Sequence, residues 1–387
     1  MPTSGRNYIK VQMKICVINN LYFPWNKGGA EQLCFNLVTT LIHNGHEVQI
    51  ITTQPKFFNS IEITSSPILR VGGLSGLLYN LGKFPKPIRL LWHVATNLNL
   101  FTAITVNRFL QKYQPELVIS HNLIGLGLGL PLVIKRNKIR QIHVLHDIQL
   151  LHPSGLLMWQ NEGLLNSFLA KRYQQFTRYC FKSIDVVVSP SAWLVTLHQK
   201  YGLFARTKKE VLPNPIEFKK NNSIVHVVHQ PLRCLFVGQL EAHKGIDWLV
   251  KVLQNKSLFH LTIIGPAGSD GDKIDYAVKN SNNIAYLGRL DRVGVSKQIN
   301  QADVLIVPSF CYENYPTVII EAITLGLPVL ASRLGGIPEM LPEKNLFNPG
   351  NADELLKKLQ TIKSLNEDLI VEKNSVEEYC QKILAAS

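Results

Sequence analysis

The densest chemistry in the chain lies in Pro308-Ser309-Phe310-Cys311-Tyr312-Glu313-Asn314-Tyr315-Pro316-Thr317-Val318-Ile319-Ile320-Glu321-Ala322. The apolar run before it, Val304–Val307, reads as a strand, and Glu313 follows in a polar loop. Pro316 suits the first turn of a helix, where a missing N–H costs nothing. The free N–H groups around Thr317 and Val318 then offer a phosphate site. Glu321 lies one turn deeper on the same helix. Its carboxylate can accept hydrogen bonds from two vicinal hydroxyls, as a ribose presents them, and Glu313 can do the same for a second ring. The competing reading is a capped helix with two surface acids, yet a Glu inside Val-Ile-Ile-Glu-Ala-Ile needs polar partners.

Three further groups stand at the ends of strand-like runs. Phe236-Val237-Gly238-Gln239-Leu240 leads to His243-Lys244-Gly245, a strand, a glycine turn and then a lysine before a helix. Lys244 suits a diphosphate as a compact point charge, or is a solvated surface lysine. Gly28-Gly29 precedes a helix, so its backbone N–H groups can approach a phosphate or carbohydrate oxygen, or it is a tight turn before a cap. His146-Asp147 closes the run Gln141–Leu145, where ligands of parallel sheets bind. His146 can donate to a sugar hydroxyl and the adjacent carboxylate can accept one; His121 is similarly placed but weaker. Asp270-Gly271-Asp272 has metal-binding spacing, but a metal needs further oxygen ligands, and the segment reads as a polar surface loop. Gly125-Leu-Gly127-Leu-Gly129 fails as a dinucleotide motif, because its third glycine falls one residue early.

The elements that must position these groups alternate strand with helix. Lys14–Asn19, Glu47–Thr52, Leu117–Ser120, Gln141–Leu145 and Asp185–Val188 read as strands, separated by amphipathic stretches such as Glu31–His43. The pattern restarts with strands at Arg233–Val237, His260–Ile264, Asn283–Tyr286, Val304–Val307 and Val329–Ala331, and helices at Ile246–Leu253, Val293–Gln301, Thr317–Leu325 and Asp353–Leu365. Nearly continuous apolar strands between helices mean parallel sheets covered on both faces. The expected fold class is therefore α/β: two Rossmann-like doubly wound domains facing a central cleft. The expected division is residues 1–212 with a loose extension at 1–12, a linker at 213–230, a second domain at 231–375, and a short terminal helix at 376–387 that packs back on the first domain.

The chain has 387 residues and a formal charge of +14, too long and too apolar for a disordered or coiled-coil protein. The charge is uneven. Residues 1–212 hold 23 Lys and Arg against 8 Asp and Glu, a net +15; residues 213–387 hold 18 against 19, a net −1. One lobe thus suits an anionic partner. No zinc-finger spacing, ribonucleoprotein box or basic region leading into heptads points to nucleic acid. The six cysteines form no C-x-x-C pair, so buried free thiols in a reducing compartment are expected. The N-terminus lacks the apolar core of a signal peptide. Leu90–Asn107 and Leu117–Ile134 each contain no Asp, Glu, Lys or Arg but are too polar to span a membrane. The first follows Lys83, Lys86 and Arg89 and precedes Arg108 and Lys112, so it reads either as an ordinary core helix or as a segment resting on an anionic bilayer.

Taken together, Glu313 and Glu321 in E-x7-E spacing, Gly28-Gly29, His146, Lys244, Gly326-Leu327-Pro328-Val329 and Gly335-Gly336-Ile337-Pro338-Glu339 resemble glycosyltransferase family 4, the retaining group with the GT-B fold. The resemblance runs from about Met13 to about Leu365. It implies transfer of a hexosyl group from a UDP- or GDP-sugar to an acceptor hydroxyl with the α configuration kept, in cell-surface polysaccharide, lipopolysaccharide or glycolipid synthesis. It implies His146, Glu313 and Lys244 as catalytic residues. It implies Gly28, Gly29, Gln239, Lys244, Asn314, Tyr315, Pro316, Thr317, Val318 and Glu321 as the donor site. No metal or cofactor beyond the sugar nucleotide is expected. The acceptor is expected to be lipid-linked or a saccharide, with the enzyme cytoplasmic, at the inner face of the plasma membrane. Two departures stand out. Gln239 occupies the place of a diphosphate-binding arginine, and Pro213-Asn214-Pro215 replaces a P-N-G linker. Two other readings compete: a nucleotide-sugar epimerase on the same plan, and a non-catalytic subunit that binds sugar nucleotides.

Overall fold

A computed structural model of the chain describes residues 12–25, 28–55, 68–97, 99–215, 229–362 and 374–387. The first lobe is a parallel sheet of seven strands: β1 (Lys14–Ile18), β2 (Glu47–Thr53), β3 (Ile68–Val71), β4 (Leu117–Ser120), β5 (Arg140–Val144), β6 (Val186–Ser189) and β7 (Lys208–Val211), in the order β3-β2-β1-β4-β5-β6-β7. The second lobe is a six-stranded sheet of β8 (Leu232–Val237), β9 (Phe259–Ile264), β10 (Ile284–Tyr286), β11 (Val304–Val307), β12 (Val329–Ser332) and β13 (Leu346–Phe347), in the order β10-β9-β8-β11-β12-β13. Every pairing among these strands is parallel.

Alternation along the central strands explains why both faces need cover. Ile15 and Val17 face one apolar cluster, and Cys16 and Ile18 face the other. Both sets are fully buried, so β1 reads as an unbroken apolar run. The second lobe repeats this, with Cys234 and Phe236 in one cluster and Leu235 and Val237 against the other. All six cysteines are buried and free.

The strands absent from the sequence reading are β3, β7 and β13, and each is a sheet edge. β7 is Lys-Lys-Glu-Val with no buried residue, as an edge that discourages further pairing should be. The stretch Leu90–Asn107 is not one helix but parts of two, Lys86–Asn97 and Leu100–Tyr113, the second capped by Asn99, whose side chain accepts from the Thr102 N–H. The extension at 1–12 lies almost wholly outside the described residues, as does 216–228 of the linker.

The terminal helix, Val376–Ala386, lies on the first lobe. Tyr379, Cys380, Ile383 and Ala386 join the cluster built by Leu33, Cys34, Leu37 and Leu41 of the helix Gly29–His43. Asn44 donates to Glu377 at 3.0 Å across this contact. Among the described residues no helix is long and apolar enough to cross a membrane.

Candidate active site

The carboxyl ends of both sheets face one cleft, and a cavity of about 390 Å³ lies in it. The first lobe contributes Gly28, Gly29 and the start of the following helix; the linker contributes Asn214 and Pro215; the second lobe contributes Arg289 to Arg292, Thr317 and Glu321. The helix Gly29–His43 starts in the cleft because Glu31 folds back and accepts the Gly28 N–H at 2.6 Å, which fixes the entry turn. A Cβ built on Gly29 would meet Thr317 Cγ2 at 3.7 Å, so the two helix N-termini nearly touch across the cleft.

Glu321 sits on the helix Thr317–Thr324. Burial pushes its carboxyl up to about 7, only partly offset by the positive charge of Arg292. Asn214 Oδ1 is buried at the same cavity and has no donor among the described residues.

A second cluster is formed by Lys244 and Glu313. Lys244 Nζ donates to Glu313 Oε1 at 2.6 Å, and the same oxygen accepts from Ser309 Oγ at 2.9 Å. Burial works against both charges, but each partner outweighs it: the lysine is held above its ordinary range and the carboxyl below its own. Both groups are therefore ionised near neutrality. Lys244 is placed by Gly245, whose φ of +73° turns the chain; a Cβ there would fall 2.0 Å from the Pro308 carbonyl oxygen. Glu313 is placed by Gly335 and Gly336. A Cβ on Gly335, at φ +65°, would fall 2.0 Å from the Glu313 carbonyl oxygen, and that oxygen accepts the Gly336 N–H at 2.8 Å.

His146 follows β5 and is half-buried, with Nε2 2.9 Å from Nδ1 of the buried His121. The two rings stack at 5.1 Å. Burial pulls the His146 pKa down to about 4, so the ring is neutral and one histidine must donate to the other. Asp147, accepting from the Gln149 backbone and side chain, is pushed by burial up to about 7.

The loop that carries Glu313 also holds the lobes together. Asn314 Nδ2 donates to the His146 carbonyl at 3.1 Å, and Asn314 Oδ1 accepts from Ser191 Oγ at 2.6 Å. Tyr312 donates to Glu162 at 2.6 Å and stacks on Trp193. Glu339 accepts the N–H groups of Ala192 and Trp193, capping a first-lobe helix from the second lobe.

These lobes, sheet orders and cleft match known proteins. The description "Glycosyltransferase Family 4" fits residues 27–220, and "Glycosyl transferases group 1" fits residues 231–364. The chain belongs to glycosyltransferase family 4. Family 4 relatives include an uncharacterized 42.6 kDa protein in the cps region of Klebsiella pneumoniae, 28% identical over 85% of this chain and 87% of that one. A component of human phosphatidylinositol N-acetylglucosaminyltransferase is 22% identical over 85% of this chain and 64% of its own. Among solved structures, sucrose-phosphate synthase from Thermosynechococcus elongatus superposes with a TM-score of 0.69 over 97% of this chain and 94% of that one, at 17% identity. The Anabaena protein Alr3699/HepE in complex with UDP-glucose gives 0.66 over 97% and 100%, at 16% identity. The fold is accordingly the GT-B fold of two Rossmann-like domains, and the protein is a glycosyltransferase of the family 4 type.

Within this family 4 site, the cavity unites four of the residues expected at the donor site, Gly28, Gly29, Thr317 and Glu321, with Asn214 and Pro215 of the linker. Lys244, Glu313 and His146 lie outside its lining. Gln239 is exposed and also outside it. Pro316 caps the helix Thr317–Thr324, while the side chains of Tyr315 and Val318 are partly buried against the apolar cluster beneath. Asn314 also lies outside the lining, and both ends of its side-chain amide are engaged at the lobe junction. Asp270 is no surface loop: it is buried and paired with Lys273 at 2.8 Å. Sequence reasoning missed Arg289 and Arg292; the available signal was Gly288-Arg289-Leu290 after the carboxyl end of β10, where α/β sites form.

The His121–His146 pair yields a direct expectation. His121→Phe keeps the stack but removes the hydrogen bond that fixes the His146 ring. Transfer should fall by about tenfold to a hundredfold in kcat with little change in KM for the donor. Because burial keeps His146 neutral, the wild-type kcat at saturating donor should show no histidine step between pH 5 and 8, the roughly unperturbed histidine range. Steady-state kinetics of both proteins across that range checks both statements.

Proposed function

We propose that the protein moves a hexosyl group from a UDP- or GDP-sugar to an acceptor hydroxyl with retention, and that the acceptor is lipid-linked or a saccharide of a cell-surface polymer or glycolipid. The observation that carries the reading is the interlobe cavity, where Glu321 and the donorless Asn214 Oδ1 meet two helix N-termini. Buried acceptors of this kind call for a polyol or base with N–H and O–H donors. The helix ends favour an anion beside it.

In this reading Glu321 accepts both ribose hydroxyls. The diphosphate lies against the Gly28-Gly29 turn and the Thr317 N-terminus, with Lys244 stabilising the charge that grows on the leaving group. Arg289 and Arg292 at the cavity supply positive charge that Gln239 lacks. Glu313 and His146 orient the hexose, and no covalent nucleophile is assigned. The Anabaena neighbour's complex with UDP-glucose supports a sugar nucleotide as donor. The human relative's name, which places it in a phosphatidylinositol N-acetylglucosaminyltransferase, supports a lipid acceptor. The +15 charge of the first 212 residues supports an acceptor lobe working at an anionic surface.

The test is a thermal-shift screen of nucleotide sugars, followed by mass spectrometry of products formed with lipid extracts. Donor affinity should also follow Glu321. Only the carboxylate accepts from two hydroxyls, so affinity should rise as pH rises through about 7. At pH 6 it should be roughly tenfold below its alkaline plateau. Glu321→Gln should be weak and flat across this range, as calorimetry will show; an unchanged affinity would remove Glu321 from the site. The uncharged Gln239 favours one other reading, a donor-binding subunit without transfer, which the product assay separates.

A further inference from the structure

The helices Lys86–Asn97 and Leu100–Tyr113 bury one face each, with Trp92 and Thr96 inward on the first and Val106, Leu110 and Tyr113 on the second. Their outward faces are apolar too. Ile88, Leu91 and Val94 recur at i, i+3, i+6, and Leu91 is 69% exposed. Leu100 and Phe101 are 75% and 70% exposed, with Ile104 one turn on. The inward residues account for the packing of both helices, and the outward ones touch no core. A third helix, Phe168–Phe181, begins with Phe168 and Leu169, also largely exposed. The first and third helices share one surface, because a cavity of about 500 Å³ is lined by Val94 and Asn97 from the first and by Leu169, Tyr173 and Phe176 from the third, and the second helix starts at Leu100, close after Asn97 in the chain.

The charge around this surface has one sign. No Asp or Glu occurs between Glu62 and Glu116, or between Glu162 and Asp185. The first interval holds Arg89, Arg108 and Lys112 on these helices, and the second holds Lys171, Arg172, Arg178 and Lys182. Arg108, Lys171 and Arg172 are exposed beside the apolar residues, Arg172 lying 5.1 Å over the Phe168 ring. A second copy of the chain would set this basic face against itself. A rim of bases around protruding aliphatic and aromatic side chains matches lipid phosphates around acyl chains.

We propose that this face of the first lobe docks on an anionic bilayer, with Leu91, Leu100, Phe101 and Phe168 entering the headgroup boundary and the bases meeting lipid phosphates. The proposal deepens the lipid-linked acceptor reading given above. It is tested without donor or acceptor, so either can fail alone.

The experiment is co-sedimentation of the full chain with vesicles of phosphatidylcholine, with and without phosphatidylglycerol. Binding should be at least about tenfold stronger to the anionic vesicles. Leu91→Ser/Phe101→Ser should lose binding by a similar factor while keeping the wild-type melting temperature, since both side chains are exposed. Lys171→Gln/Arg172→Gln should lose the preference for anionic lipid. Equal binding to both vesicles, or undiminished binding by the Leu91→Ser/Phe101→Ser protein, overturns the proposal. Sedimentation velocity that shows a dimer broken by those same two substitutions would assign the face to a second copy and overturn it too.

Discussion

Gly335→Ala is expected to lower kcat/KM by at least about a hundredfold, the scale of an ångström-sized displacement at a reacting centre. The new Cβ would fall 2.0 Å from the Glu313 carbonyl oxygen and 3.0 Å from the Glu313 nitrogen, at a φ of +65° that L-residues rarely adopt. Backbone has to move, and the backbone in contact is the one that presents Glu313 to Lys244. Gly336→Ala meets the Asn314 carbonyl at 2.0 Å and the Ser191 side chain of the opposite lobe, so it should disturb lobe docking as well as the carboxylate. Neither glycine borders the cavity, so each should retain measurable donor binding while transfer fails. Steady-state kinetics beside donor calorimetry makes the comparison, and wild-type turnover by Gly335→Ala would show that the Glu313 loop tolerates displacement.

Lys244→Met is expected to reduce kcat by about a hundredfold to a thousandfold, the usual cost of removing one group that stabilises developing charge. Its effect on stability is separable. The ion pair is mostly buried, with 28% and 15% of the two side chains exposed. Removing the lysine strands Glu313 with only Ser309 and a weak Cys311 contact. That should destabilise the fold by on the order of 2 kcal/mol, less than for a fully buried pair. Lys244→Met/Glu313→Leu should recover most of that stability and none of the activity. Denaturant melts and kinetics on the single and double variants test both parts; additive stability losses would mean the two groups do not depend on each other.

These two sites show what sequence could and could not convey. Glu313, Glu321 and Lys244 stood out as charged groups at strand and helix ends, and the structure pairs Lys244 with Glu313 and sets Glu321 at the interlobe cavity. The central strands were legible because burial on both faces writes an unbroken apolar run; the edges β3 and β7 are only partly buried and write no such run, and β13 is buried but only two residues long. The task of Gly335 and Gly336 was hidden, since it lies in contacts with a carbonyl far away in the chain. The tie of the Asn314 side chain to Ser191 and to His146 of the other lobe was hidden for a related reason. Asp270 looked like loop polarity, and only the packed structure shows it buried against Lys273.

The helix Val376–Ala386 has a consequence for how the molecule is made. It completes the cluster against Leu33, Leu37 and Leu41 on the helix that begins at Gly29. Domains generally fold in the order of their synthesis, yet here part of the first lobe's core comes from chain made after the second lobe. Until Val376–Ala386 leaves the ribosome, the apolar face of the Gly29–His43 helix lacks that cover. The cleft that this helix opens onto is therefore finished only when the whole second lobe already exists, and a partly made chain has no complete place to hold a sugar nucleotide.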